Sequence, residues 1–141
     1  SVPMTPTSVQ GITIEDCDSL TDIDVAANVS YLTGAVTLRD NELLADLSGL
    51  GKATQVYGDL TIEANPSLTG FDGIDAMTTI QGNLTISENP GLTSMDGFTA
   101  LTKVTQGVTI TNNTSLPTTN AQTFADGLDV GGTTTISGNQ D

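Results

Sequence analysis

Gly82-Asn83-Leu84-Thr85-Ile86-Ser87-Glu88-Asn89-Pro90-Gly91-Leu92 decides the fold. The chain reads Gly58-Asp59-Leu60-Thr61-Ile62-Glu63-Ala64-Asn65-Pro66-Ser67-Leu68 just 24 residues earlier. The two stretches agree at the glycine, both apolar positions, the threonine between them, the Asn-Pro pair and the final leucine. Self-similarity at such a period marks a stacked-coil architecture. One coil cannot bury its apolar side alone, and neighbours supply the missing surface.

Working outward, the same apolar pair recurs as Ile12/Ile14, Val36/Leu38, Leu60/Ile62, Leu84/Ile86, Val108/Ile110 and Thr134/Ile136, at spacings of 24, 24, 24, 24 and 26. Apolar–polar–apolar alternation between a glycine and a turn residue predicts a short strand with one buried face. Three residues after each strand comes a turn column: Cys17, Asn41, Asn65, Asn89, Asn113 and Asn139. An asparagine amide both donates and accepts, so it can satisfy bend groups in its own and adjacent coils. Cys17 is expected to be buried and inert in the same small slot.

After each turn, apolar residues recur every third position, as in Leu44, Leu47, Leu50, Ala53 and Val56. That spacing suits 3₁₀-like turns and short extended pieces. The fifth coil differs: Ala121, Phe124, Ala125 and Leu128 predict a short helix near 119–127, with Thr119 or Asn120 capping its start and Gly127 its end. Residues 1–10, with Pro3 and Pro6, read as an extended lead-in. The expectation is a β-dominated, right-handed repeat solenoid over residues 11–141, with about 24 residues per coil and short 3₁₀ or helical return segments.

Met77-Thr78-Thr79-Ile80-Gln81-Gly82-Asn83-Leu84-Thr85-Ile86-Ser87-Glu88-Asn89 resembles the repeating phrase of leucine-rich repeats. It is most similar to the receptor L domains and their bacterial and fungal surface relatives. The resemblance implies a non-catalytic module outside the cell or on its surface, used for adhesion, ligand binding or spacing.

Charge narrows the partners. With 17 acidic and 3 basic residues the net charge is −14, so nucleic acid and anionic membranes are excluded on electrostatic grounds. No apolar run reaches the roughly 20 residues of a membrane span, so no membrane insertion is expected. The first residue is Ser1, and the chain reads as a mature piece of a longer secreted or surface protein.

Little of the sequence suggests chemistry. Without histidine, Ser-His-Asp and Cys-His arrangements cannot form, and no enzyme activity or cofactor is expected. Asp22, Asp24, Asp72 and Asp96 are the Ca²⁺ candidates, weighed against a plain solvated acidic edge. Asn28, Asn83, Asn112 and Asn113 begin glycosylation triplets. The regular surface feature is a file of Thr13, Thr37, Thr61, Thr85, Thr109 and Thr135, with Arg39 and Glu63 beside it. It predicts a ligand face for a protein or glycan. The alternatives are binding to ice or another crystal surface, and a structural subunit that stacks end to end through its C-terminal strand edge.

Overall fold

The computed structural model of the chain describes residues 8–23 and 28–141. Its strands, in chain order, are β1 (Ser8–Val9), β2 (Ile12–Glu15), β3 (Tyr31–Leu32), β4 (Val36–Arg39), β5 (Gln55–Val56), β6 (Leu60–Glu63), β7 (Thr79–Ile80), β8 (Leu84–Ser87), β9 (Lys103–Val104), β10 (Val108–Thr111), β11 (Asp129–Val130) and β12 (Thr134–Ser137). The six four-residue strands form one parallel sheet and the six two-residue strands another. This is a β-solenoid of about five coils, each coil contributing one strand to each sheet. Ser8–Val9, inside the stretch read as a lead-in, already pairs with Tyr31–Leu32.

Alternation explains the wider sheet. Val36, Leu38, Leu60, Ile62, Leu84, Ile86, Val108 and Ile110 point inward with no exposure. Each such side chain contributes roughly 1.5–3 kcal/mol of burial. The return segments supply the opposite wall through Leu44, Leu47 and Leu50 and their equivalents one coil on, Leu68, Phe71 and Ile74. Phe71 and Phe98 occupy different return positions in adjacent coils, yet their rings meet at 4.8 Å, and Phe98 meets Phe124 at 5.7 Å. The phenylalanines are thus staggered rather than stacked atop one another, which fills the interior without overpacking.

The turn column is a hydrogen-bonded ladder. The backbone N–H groups of Cys17, Asn41, Asn65, Asn89 and Asn113 each donate to the Oδ1 of the asparagine in the next coil, at 3.0–3.2 Å. Each of those asparagines uses Nδ2 to donate back to the strand carbonyl of the preceding coil: Ile14, Leu38, Ile62, Ile86 and Ile110. Nδ2 of Asn41, Asn65, Asn89 and Asn113 also donates to the Oδ1 of the next asparagine, at 3.1–3.5 Å, so these amides are bonded to the coil on either side. Cys17 departs from expectation: it is half-buried rather than buried, and its Sγ donates to the Glu15 carbonyl. It stands in the first rung of the ladder among the described residues.

One position before each ladder residue the backbone is left-handed. Asp16, Asp40, Ala64, Glu88 and Asn112 have φ between 53° and 58°, and Gly138 follows at 68°. Asp, Asn and Gly tolerate this region; Ala64 and Glu88 are held there against their preference by the ladder bonds on either side.

The helix α1 (Thr118–Asp126) begins one residue earlier than expected. Pro117 is its N-cap and no side chain caps it. Asn120 instead accepts the Met95 N–H through Oδ1, while the Gln140 carbonyl takes the Thr118 N–H. Gly127 closes the helix in a right-handed conformation. Among the described residues, one 3₁₀ turn occurs, at Ser48–Leu50; the other return segments are turns and the short strands of the second sheet.

Two outcomes follow. Asn89→Ala removes the acceptor for the buried Asn65 N–H and one donor to the Ile62 carbonyl, and lowers unfolding free energy by about 2 kcal/mol. Cys17→Ala, which deletes no amide, costs under about 1 kcal/mol; equal losses in denaturant melts would show that the ladder bonds carry no special weight. Ala64→Gly relieves the left-handed Cβ clash and raises stability by roughly 0.5–1 kcal/mol, net of the added chain entropy. A drop in melting temperature for that variant would contradict the strain argument.

Candidate functional site

The threonine file exists and is in strict register. Thr13 pairs with Thr37, then Thr61, Thr85, Thr109 and Thr135 in turn, so six hydroxyls line the outer face of the wider sheet at about 4.8 Å per step. Thr13 and Thr135 are exposed and the inner four are half-buried between neighbours. The flanking columns divide the face in two. In the first three coils Arg39 lies between two carboxylates, with Nε 3.0 Å from Glu63 and NH1 3.6 Å from Glu15. These exposed pairs are worth little in stability, but they occupy the one cation of this face. From Asn83 onward the face carries no charge: Asn83, Thr85 and Ser87, then Gly107, Thr109 and Thr111, then Thr133, Thr135 and Ser137.

Asn83 organises that uncharged half. Its Oδ1 accepts the Gly107 N–H at 2.9 Å and its Nδ2 reaches Asp59 and Gln106, while its own N–H donates to Asp59 at 2.6 Å. A shallow depression of about 480 Å³ lies beside it, lined among others by Gln106, Thr109, Thr133 and Thr135.

The carboxylates lie elsewhere. Asp16, Asp18, Asp40 and Glu42 rim a dent of about 270 Å³ at the turn edge of the first two coils. The backbones of Asp22 and Asp46 form an isolated parallel β-bridge, and Asp72 lies exposed on the return edge, as does Asp96 one coil on. Asp24 lies outside the described residues. Among the described residues no three Asp, Glu, Cys or His side chains group closely enough to hold a metal ion. Asp46 is held below the ordinary carboxylate range by hydrogen bonds from Ser48, whose N–H donates at 2.7 Å.

The glycosylation triplets separate by burial. Asn113 has no exposure and is a ladder residue, and Asn83 is tied into the bonds above, whereas Asn28 and Asn112 are exposed.

A second face escaped the sequence reading. The outward residues of the narrow sheet form two columns: Tyr31, Gln55, Thr79, Lys103 and Asp129, and beside them Thr33, Tyr57, Gln81, Thr105 and Gly131. The signal was present, since Gln55-Val56, Thr79-Ile80 and Lys103-Val104 each set a polar residue before an apolar one. With two residues per strand, the alternation is too brief to stand out from the three-residue spacing of the return segment.

Compared with known proteins, the chain matches no protein-family model, no curated protein and no solved structure.

The stacked acids make an ionic-strength prediction. Asp16 and Asp40 are neighbours in one turn column, as Asp18 and Glu42 are two positions on, and short-range repulsion between them is screened by salt. The melting temperature rises between about 10 mM and 150 mM NaCl. Asp40→Asn, which keeps a residue tolerant of positive φ, raises it at low salt and flattens the response. An unchanged response in that variant would place the repulsion elsewhere.

Proposed function

We propose that this solenoid is a non-catalytic binding module of a larger extracellular or cell-surface protein, related in plan to leucine-rich-repeat and receptor L domains. Its task is adhesion or ligand display, and its principal contact is the threonine face of the wider sheet. The observation that carries the reading is the strict register of six threonines on one parallel sheet, with an uncharged, hydroxyl-rich half around Asn83 and Thr135. Hydroxyls donate and accept, so such a face suits a polar ligand without a charge of its own. The ladder bonds at the bends that follow these strands tie neighbouring coils together, and a preorganised surface loses little entropy on binding. Ca²⁺ and other cofactors play no part in this reading.

The uncharged half also favours a second reading: contact with ice or another crystalline surface through the regularly spaced hydroxyls. Thermal hysteresis of the purified chain separates the two.

The test is a screen of the immobilised chain against glycan and extracellular-protein arrays, with and without calcium. Thr109→Glu/Thr135→Glu puts charge into the uncharged half while leaving the core intact. A ligand of this face is expected to lose about tenfold or more in affinity. Unchanged binding by a variant that melts like the parent would remove the threonine face from the function.

A further inference from the structure

The narrow sheet carries a feature that the threonine face does not explain. Tyr31 and Tyr57 are 47% and 43% exposed, and Leu43 is the one other large apolar side chain in that class among the described residues. They are the chain's two tyrosines and lie in adjacent coils on one face. Tyr31 pairs with Gln55, and the Tyr57 N–H donates to the Leu32 carbonyl at 2.7 Å, so the two rings sit diagonally across neighbouring strands. Diagonal positions of this kind are about 7–8 Å apart, within reach of one extended ligand. Neither phenolic hydroxyl has a hydrogen-bond partner among the described residues. The packing does not call on these rings, since the interior aromatic run is made by Phe71, Phe98 and Phe124.

Charge points the same way. Of the chain's 17 acids, the two outward columns of this face hold one, Asp129, at the far end from the tyrosines and next to Lys103. In a molecule of net charge −14, a ligand approaching this face meets few carboxylates.

We propose that the outer face of the narrow sheet binds a neutral, extended polysaccharide, with Tyr31 and Tyr57 stacked on sugar rings and the Gln55 and Gln81 amides bonding sugar hydroxyls. A pyranose ring has an apolar C–H face and a rim of hydroxyls, which matches a flat aromatic ring bordered by groups that donate and accept. A protein partner fits less well. A stable protein interface needs about 800 Å² per side around an apolar centre, and two rings on an otherwise polar face do not provide one. An acidic polysaccharide would be repelled by the rest of the molecule. This face lies apart from the threonine file, so the inference goes beyond the reading above and its test separates the two.

With no tryptophan in the chain, intrinsic emission comes from these two tyrosines and reports directly on the site. The probes are cellohexaose and chitohexaose in solution, with sedimentation on microcrystalline cellulose and chitin. A saturable change in tyrosine emission and co-sedimentation with at least one of these polymers are expected. Tyr31→Ala and Tyr57→Ala each weaken retention about fivefold or more, and the double variant abolishes it. Tyr31→Phe and Tyr57→Phe retain it within about twofold, as does Leu43→Ala, which removes an equally exposed apolar group from another edge. Absence of retention on every neutral probe, with native circular dichroism, overturns the proposal. So does tighter retention on polygalacturonate, or capture by a protein array that depends on the tyrosines. Retention that survives both tyrosine changes but is lost in Thr109→Glu/Thr135→Glu overturns this proposal and leaves the threonine face standing; the reverse pattern does the opposite.

Discussion

The structure depends on the hydrogen bonds by which each turn asparagine serves the coil before it. A parallel solenoid meets a recurrent problem at its bends, where the chain leaves the sheet and the turn-column N–H groups no longer find a strand carbonyl. Burying them unpaired would cost several kcal/mol over the stack. One side chain, repeated at Asn41, Asn65, Asn89, Asn113 and Asn139, removes that cost by accepting a backbone N–H and donating to a strand carbonyl at once. Aspartate could accept at that place but has no donor, and serine has a single O–H, whereas the amide has two N–H donors besides its acceptor.

Fixing the bends fixes the register, and the register accounts for much else. A 24-residue step brings each inward side chain above its equivalent, so the core columns, the threonine file and the charged columns are all consequences of one spacing. The price appears in the backbone just before the ladder, where Ala64 and Glu88 adopt positive φ that Asp16, Asp40, Asn112 and Gly138 accept more easily. The fifth coil escapes the rule by two residues. Its helix α1, about 10 Å across, is as thick as two coils at about 4.8 Å each, so it can cover the return side of two layers at once. It lies beside β12 and turns Thr119, Gln122, Thr123 and Asp126 to solvent.

The wider sheet and the ladder were legible because each repeats a distinctive residue type at a constant interval. The pair Leu84/Ile86 with Asn89 suffices to define a coil once Leu60/Ile62 with Asn65 is seen. The narrow sheet was not legible, because Val56, Ile80 and Val104 fall on the same three-residue spacing as Ala53, Met77 and Leu101, which lie in irregular segments outside any strand. The left-handed column was hidden for a different reason: two of its six occupants, Ala64 and Glu88, carry no sign of the conformation that the tertiary bonds impose on them. The cap of α1 was misread because Asn120, a good capping residue by type, forms a longer-range bond to Met95 instead. In each case a local preference gave way to a bond between coils.

What the fold requires and what it leaves open can be told apart column by column. The inward positions of β4, β6, β8 and β10 vary among Val, Leu and Ile, because volume and burial are all that the core demands there. The outward centre of the wider sheet demands less, since any β-branched or aromatic residue suits an exposed pleat. Valine, isoleucine or tyrosine would serve there, yet all six positions are threonine. Cross-strand threonine pairs contribute only about 0.2–1 kcal/mol over alanine, and other pairs contribute as much. Stability therefore does not single out the hydroxyl at every step. Other threonine hydroxyls in the chain do have structural tasks: those of Thr54, Thr78 and Thr102 turn onto carbonyls of the preceding coil. The six on the wider sheet make no such bond among the described residues and remain turned outward. The same reasoning separates the aromatics, since the three phenylalanines are consumed by the core and the two tyrosines are not. The columns that the fold leaves unassigned are thus the ones that carry the most specific chemistry, and it is on them that a binding function has to rest.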